Sequence, residues 1–190
     1  MYNYYDKIDN IINIVGFCGK IIFTFVATKN TLRNSKKDMS SLLGEFEATV
    51  DAKGRVLFPS ALKRQVSPEA GDKFVLNRGF EKHLNLYPYN VWKVITAEMS
   101  KLNLFETDAR NFYRRFHNGA TEMFLDGQGR LLLPQRLLAY GGIKKEIVFY
   151  SYADRIEIWS LAEFNKMMTD KSVDYASLAE KVMGNKEKKQ

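Results

Sequence analysis

Apolar and polar positions alternate along "EFEATV", residues 45–50, as they do in a strand with one buried face. The turn residues "AKG" follow, then the apolar run "RVLF", then Pro59, which ends that strand because it has no N–H to donate to a ladder. Proline also suits the first turn of a helix, where its φ is already set, so "SALKRQV" reads as a short helix. "KFVLNRGFEKHLNLY" then reads as a hairpin with β-rich arms.

The same series is written a second time. "VDAKGRVLFPSAL" from Val50 and "LDGQGRLLLPQRL" from Leu125 superpose at a constant offset, pairing Asp51 with Asp126, Gly54 with Gly129, Arg55 with Arg130 and Pro59 with Pro134. "RLLL" is the second apolar strand, "QRLLAYG" the second short helix, closing at Gly141 and Gly142, and "EIVFYSYADRIEIW" the second hairpin. Two copies, each too short to bury its own apolar face, predict a pseudo-symmetric pair sharing one core rather than a solenoid. Between them "NVWKVITAEMSKLN" and "TDARNFYRRFHNGA" have helical spacing; Phe112 and Phe116 share a face expected to point into the core, and Arg110, Arg114 and Arg115 a solvated one. The fold class is α+β: units at 42–91 and 119–162, a helical connector at 92–118, and a helical or disordered tail at 163–190.

Residues 1–38 stand apart. "IINIVGFCGKIIFTFVAT", residues 11–28, is apolar but interrupted by Lys20, barely long enough for a bilayer, and lacks a basic segment before it or a small-residue cleavage site after it. Met39 opens the repeat-bearing segment, so residues 1–38 are expected to be an over-extended gene model or disordered, with a membrane-associating arm as the lesser reading. The mass of the intact native protein tests this; a mass that includes residues 1–38 contradicts the first expectation.

Composition narrows the chemistry. The formal net charge is +7, and removing residues 1–38 leaves 23 basic against 19 acidic residues, a net +4. A basic surface attracts polyanions, nucleic acid among them. Cys18 is the only cysteine, which rules out an intramolecular disulfide or a multi-cysteine zinc site, and His83 and His117 are too far apart in sequence to ligate from one helix face. Neither a metal nor another cofactor is expected.

Asp51 and Arg55 flank a tight turn and so can approach each other, as can Asp126 and Arg130. One reading is structural: a turn-capping aspartate with a solvated or ion-paired arginine. The other is functional. A rigid turn offering Arg55 beside Lys53, Lys63 and Arg64 suits the major groove, where arginine contacts the guanine O6/N7 edge and lysine holds phosphates. A third reading, a carboxylate dyad sharing a proton, is disfavoured because "DAKG" and "DGQG" lack the aspartic-protease context, and no nucleophile or phosphate loop accompanies them.

Together, "LLGEFEATVDAKGRVLFPSALK", "LNLYPYNVWKVI", "RNFYRRFHNGATEMFLDGQGRLLLPQRLLAYGGI" and "IEIWSLAEF" resemble the MraZ family, bacterial transcriptional regulators with two tandem AbrB/SpoVT-type swapped-hairpin units. The resemblance covers residues 42–165. It implies a cytoplasmic, nucleoid-associated protein acting at the promoter of a division and cell-wall gene cluster. It further implies a ring-shaped homo-oligomer on short, G-rich direct repeats, with no small-molecule substrate and no membrane. Arg55 becomes the expected base contact, with Arg130 a lesser one because Gln128 stands where the first copy has Lys53; Asp51, Gly54, Asp126 and Gly129 take turn-structural roles. The alternative is an oligomeric scaffold of the same fold that touches DNA without regard to sequence.

Overall fold

The computed structural model describes residues 11–18, 21–28, 42–170 and 174–184. Strands β1 (Ile11–Cys18) and β2 (Ile21–Thr28) pair antiparallel across the apolar stretch near the N-terminus; Met39 and the remainder of residues 1–41 lie outside the described residues.

The first copy contains β3 (Gly44–Thr49), β4 (Arg55–Leu57), α1 (Ser60–Gln65), a 3-10 turn (Pro68–Ala70) and the hairpin β5 (Lys73–Arg78) and β6 (His83–Pro88). Helices α2 (Tyr89–Met99) and α3 (Thr107–His117) follow. The second copy repeats the order: β7 (Thr121–Phe124), β8 (Arg130–Leu132), α4 (Gln135–Tyr140), β9 (Glu146–Tyr152) and β10 (Arg155–Ser160). Helices α5 (Leu161–Met168) and α6 (Tyr175–Met183) complete the described chain. Fold class and repeat follow the sequence pattern, including the β3 alternation, which leaves Glu45, Glu47 and Thr49 exposed and turns Phe46 and Ala48 toward the core.

The two copies are interleaved. A six-stranded antiparallel sheet runs β3-β9-β10-β6-β5-β7, so the opening strand of each copy pairs with the hairpin of the other, and the two hairpins meet where β10 pairs with β6. Neither copy can therefore complete its sheet alone. A second, two-stranded ladder joins β4 to β8, setting Arg55 opposite Leu132, Val56 opposite Leu131 and Leu57 opposite Arg130. Val56 and Leu131 point inward to a single core shared with Phe58, Leu62, Phe74, Leu84, Leu133, Leu137 and Phe149. Phe58 is its keystone, with its ring 5.2 Å from Phe74 on β5 of its own copy and 5.8 Å from Phe149 on β9 of the other.

Two local expectations need correction. Phe112 and Phe116 are half-buried rather than part of the core: Phe116 stacks on Trp92 at 5.3 Å, and α3 lies on the outside of the β5–β6 hairpin with no fully buried residue. His83, which the sequence offers only as an ordinary surface or partly buried histidine, is fully buried and stacked on Trp159 at 4.3 Å, and that burial holds its imidazole below the usual range.

Candidate nucleic-acid interface

Each copy turns from its first strand into its second over an aspartate. The backbone N–H of Asp51 donates to the Arg55 carbonyl at 2.8 Å, and the Gly54 N–H donates back to the Asp51 carbonyl at 2.9 Å. Oδ1 of Asp51 accepts from the backbone N–H groups of Lys53 and Arg55, both at 2.9 Å. Oδ2 accepts from Nε of Arg55 at 2.7 Å and lies 2.7 Å from Nη2. Asp51 thus caps its turn and pairs with Arg55 at once, and the capping does not compete with a functional role for the arginine. The carboxylate that closes the turn also fixes the guanidinium, while among the described residues both N–H groups of Nη1 are left without a partner. The second copy matches contact for contact. Asp126 Oδ1 accepts from Gln128 and Arg130, each at 2.9 Å, and Oδ2 meets Nε and Nη2 of Arg130 at 2.8 and 2.7 Å.

These bonds hold both carboxyls near a pKa of about 2. For Asp51 the leading causes are the backbone and then the side-chain hydrogen bonds from Arg55; for Asp126 the side-chain bond from Arg130 leads. Each aspartate is thus ionised by its own arginine, the reverse of a dyad that shares a proton. A depressed carboxylate pKa stabilises the turn fully above the ordinary value of 3.8 and loses that contribution as pH falls toward 2. Carbon-detected NMR titration of the two side-chain carboxyls should give midpoints near 2; midpoints near 3.8 would show that the clamps are open in solution.

The turns lean on each other through the β4–β8 ladder. The Gly54 carbonyl accepts from Leu133 N–H at 2.8 Å, and the Gly129 carbonyl accepts from Phe58 N–H at 2.9 Å. Both glycines have positive φ, +83° and +73°. They are not equally tolerant, because a β-carbon at Gly54 would meet the Leu133 carbonyl oxygen at 3.0 Å while one at Gly129 meets nothing within 4 Å. Gly129→Ala should cost about 1 to 2 kcal/mol, the usual penalty of left-handed backbone, and Gly54→Ala visibly more. Thermal melts of the two variants check the order, and equal losses would contradict it.

The ladder brings the two arginines together. Arg55 and Arg130 stand two positions apart along it on opposite strands, which places their Cα atoms roughly 8 Å apart on the same outward face. Lys53 sits in the first turn and Gln128 in its counterpart. Arg64 is exposed on α1. Lys63 is instead engaged with Asp72 at 2.6 Å, a pairing between separate elements that no local pattern signalled. Sequence reasoning also passed over Leu57 and Leu132, the other two outward positions of the ladder, because "RVLF" and "RLLL" read only as apolar runs.

Comparison with known proteins bears on this geometry. The family model described as "MraZ protein, putative antitoxin-like" matches residues 41–115 and again residues 116–185. The chain belongs to the MraZ family. Three curated MraZ relatives, each named "Transcriptional regulator MraZ", are similar to it over nearly their whole length. That of Christiangramia forsetii is 44% identical over 148 residues, 77% of this chain and 96% of that protein. The relative from Clostridium tetani is 39% identical over 140 residues, 74% of this chain and 95% of its own. The one from Flavobacterium psychrophilum is 38% identical over 148 residues, 77% of this chain and 94% of its own. The doubled match falls on the repeat seen in the sequence and in the sheet. The MraZ relatives carry the name of a regulator and not of an enzyme. Among the described residues no helix is long and apolar enough to cross a membrane.

Proposed function

We propose that this chain is a sequence-specific DNA-binding transcriptional regulator that reads guanine in the major groove with Arg55 and, more weakly, Arg130. One observation carries the reading: two identically clamped arginines are presented on one two-stranded antiparallel ribbon. A ribbon of that kind fits the major groove, and a guanidinium held in place by a neighbouring carboxylate loses little freedom when it meets the guanine O6/N7 edge. Lys53 and Arg64 supply phosphate contacts that set position but not sequence. Lys63 joins them only by leaving Asp72. The names of the relatives support regulation of transcription as the biological role.

The finer parts of the reading are that the protein acts at the promoter of a division and cell-wall gene cluster, in the cytoplasm and on the nucleoid, as a ring of identical subunits on short direct repeats. Several ribbons meeting several boxes would raise affinity through effective concentration, provided the box spacing matches the subunit spacing.

The test is a binding titration of the full chain against DNA upstream of its own gene, with scrambled DNA as competitor and stepwise increases in salt. Phosphate-only binding weakens steeply with salt and ignores sequence. Preference for the upstream DNA that persists at raised salt is the expected result; equal competition by scrambled DNA would favour the non-specific scaffold.

A further inference from the structure

The outward face of the β4–β8 ribbon carries four side chains, and only two are arginines. Burial alternates along both strands: Val56 and Leu131 are sealed inside, while Leu57 and Leu132 are 62% and 59% exposed. A single exposed leucine needs no explanation. Here the exposed leucines occupy equivalent positions in the two copies, and each lies directly across the ladder from an arginine, Leu57 from Arg130 and Leu132 from Arg55. The face is thus a four-cornered patch of two guanidinium groups and two isobutyl groups. Its flanking carboxylates, Asp51 and Asp126, are already spent on the arginines.

We propose that Leu57 and Leu132 read the C5-methyl group of thymine beside the guanines contacted by Arg130 and Arg55; this rests on the DNA-reading role proposed above. The major groove offers one apolar feature, the thymine methyl, and an aliphatic side chain is its natural complement. Directly opposed residues on an antiparallel pair have Cβ atoms about 5 Å apart. Successive bases on a strand are about 3.4 Å apart along the axis, so each leucine reaches a base one or two steps from the guanine of the arginine across from it. The cationic corners bring the ribbon to the polyanion and read guanine, and the apolar corners add a preference for thymine, since phosphates offer them nothing.

The experiment compares two duplexes of the upstream DNA, identical except that thymines next to or one removed from guanine are replaced by deoxyuridine, which lacks only the methyl group. Wild type should bind the deoxyuridine duplex roughly fourfold less tightly for each methyl lost from a buried contact. The double variant Leu57→Ala, Leu132→Ala, altered only at exposed positions and expected to melt as wild type does, should bind both duplexes equally while still preferring them to scrambled DNA. Wild type that rejects scrambled DNA but ignores the methyl would overturn the leucine role and leave the arginine reading standing. Wild type with no preference over scrambled DNA would overturn both. A double variant that still discriminates against deoxyuridine would place the methyl effect elsewhere. One that loses self-association with its discrimination intact would reassign the leucines to a contact between copies.

Discussion

Arg55→Ala should fold normally yet lose its preference for the upstream DNA. Its side chain is one-third exposed and bonds only to the turn that Asp51 also closes through backbone groups, so the core does not depend on it. A bidentate arginine–guanine contact is worth about 1 to 3 kcal/mol of discrimination, roughly 5- to 150-fold, and more when several subunits engage one stretch of DNA. Arg55→Lys should fail nearly as badly, since an ammonium cannot make the forked contact. Arg130→Ala should cost less. Its clamp is the same, but Gln128 stands in its turn where Lys53 stands in the first, and Leu138 and Ala139 stand where α1 has Lys63 and Arg64. Fluorescence anisotropy against upstream and scrambled duplexes separates these outcomes. Retained preference in Arg55→Ala would refute the assignment, and equal loss in Arg130→Ala would refute the asymmetry.

Phe58→Ala should produce the largest loss of stability. Its side chain is buried and its ring lies between Phe74 and Phe149, which belong to hairpins of different copies. Deleting a buried phenylalanine costs about 3 to 5 kcal/mol, a large part of the roughly 5 to 15 kcal/mol that holds a domain together. At about 2 to 4 °C per kcal/mol for a chain of this size, the melting temperature should fall by about 10 °C. The fall should also occur in one step. Because β3 pairs with β9 and β7 with β5, unfolding either copy strips a strand from the other. Two resolved transitions in calorimetry would mean that the copies are independent, contrary to the sheet order.

What could be read from the sequence was what is encoded locally. The D-x-x-G-R turns, Pro59 and Pro134, the short helices and both hairpins were legible because turn chemistry, proline and strand alternation act over short stretches of chain. The shared core followed from the repeat, and the exchange of strands from the family resemblance. The β4–β8 ladder was not legible: strands this short hold too few positions to show a period, and each finds its partner in the other copy, far along the chain. The pairing of Lys63 with Asp72 and the burial of His83 under Trp159 were hidden for a related reason, since each depends on how separate elements meet. Phe112 and Phe116 misled in a different way. Their spacing marks an apolar face correctly, but α3 lays it on Trp92 outside the sheet instead of inside the core. At the candidate site, the approach of Arg55 and Arg130 to their aspartates was legible from the spacing of the turns. Leu57 and Leu132 were missed because an apolar residue beside apolar residues gives no hint of which side of a strand it takes.

The claim that Arg55 reads guanine in the major groove is tested most directly by methylation interference. Methylating guanine N7 in the upstream DNA blocks one of the two acceptors that the guanidinium requires and leaves the phosphates and the minor groove unchanged. Wild type should be excluded from duplexes methylated at particular guanines, and the residual binding of Arg55→Ala should be indifferent to the same modification. Wild-type binding that tolerates N7 methylation at every guanine would contradict the account.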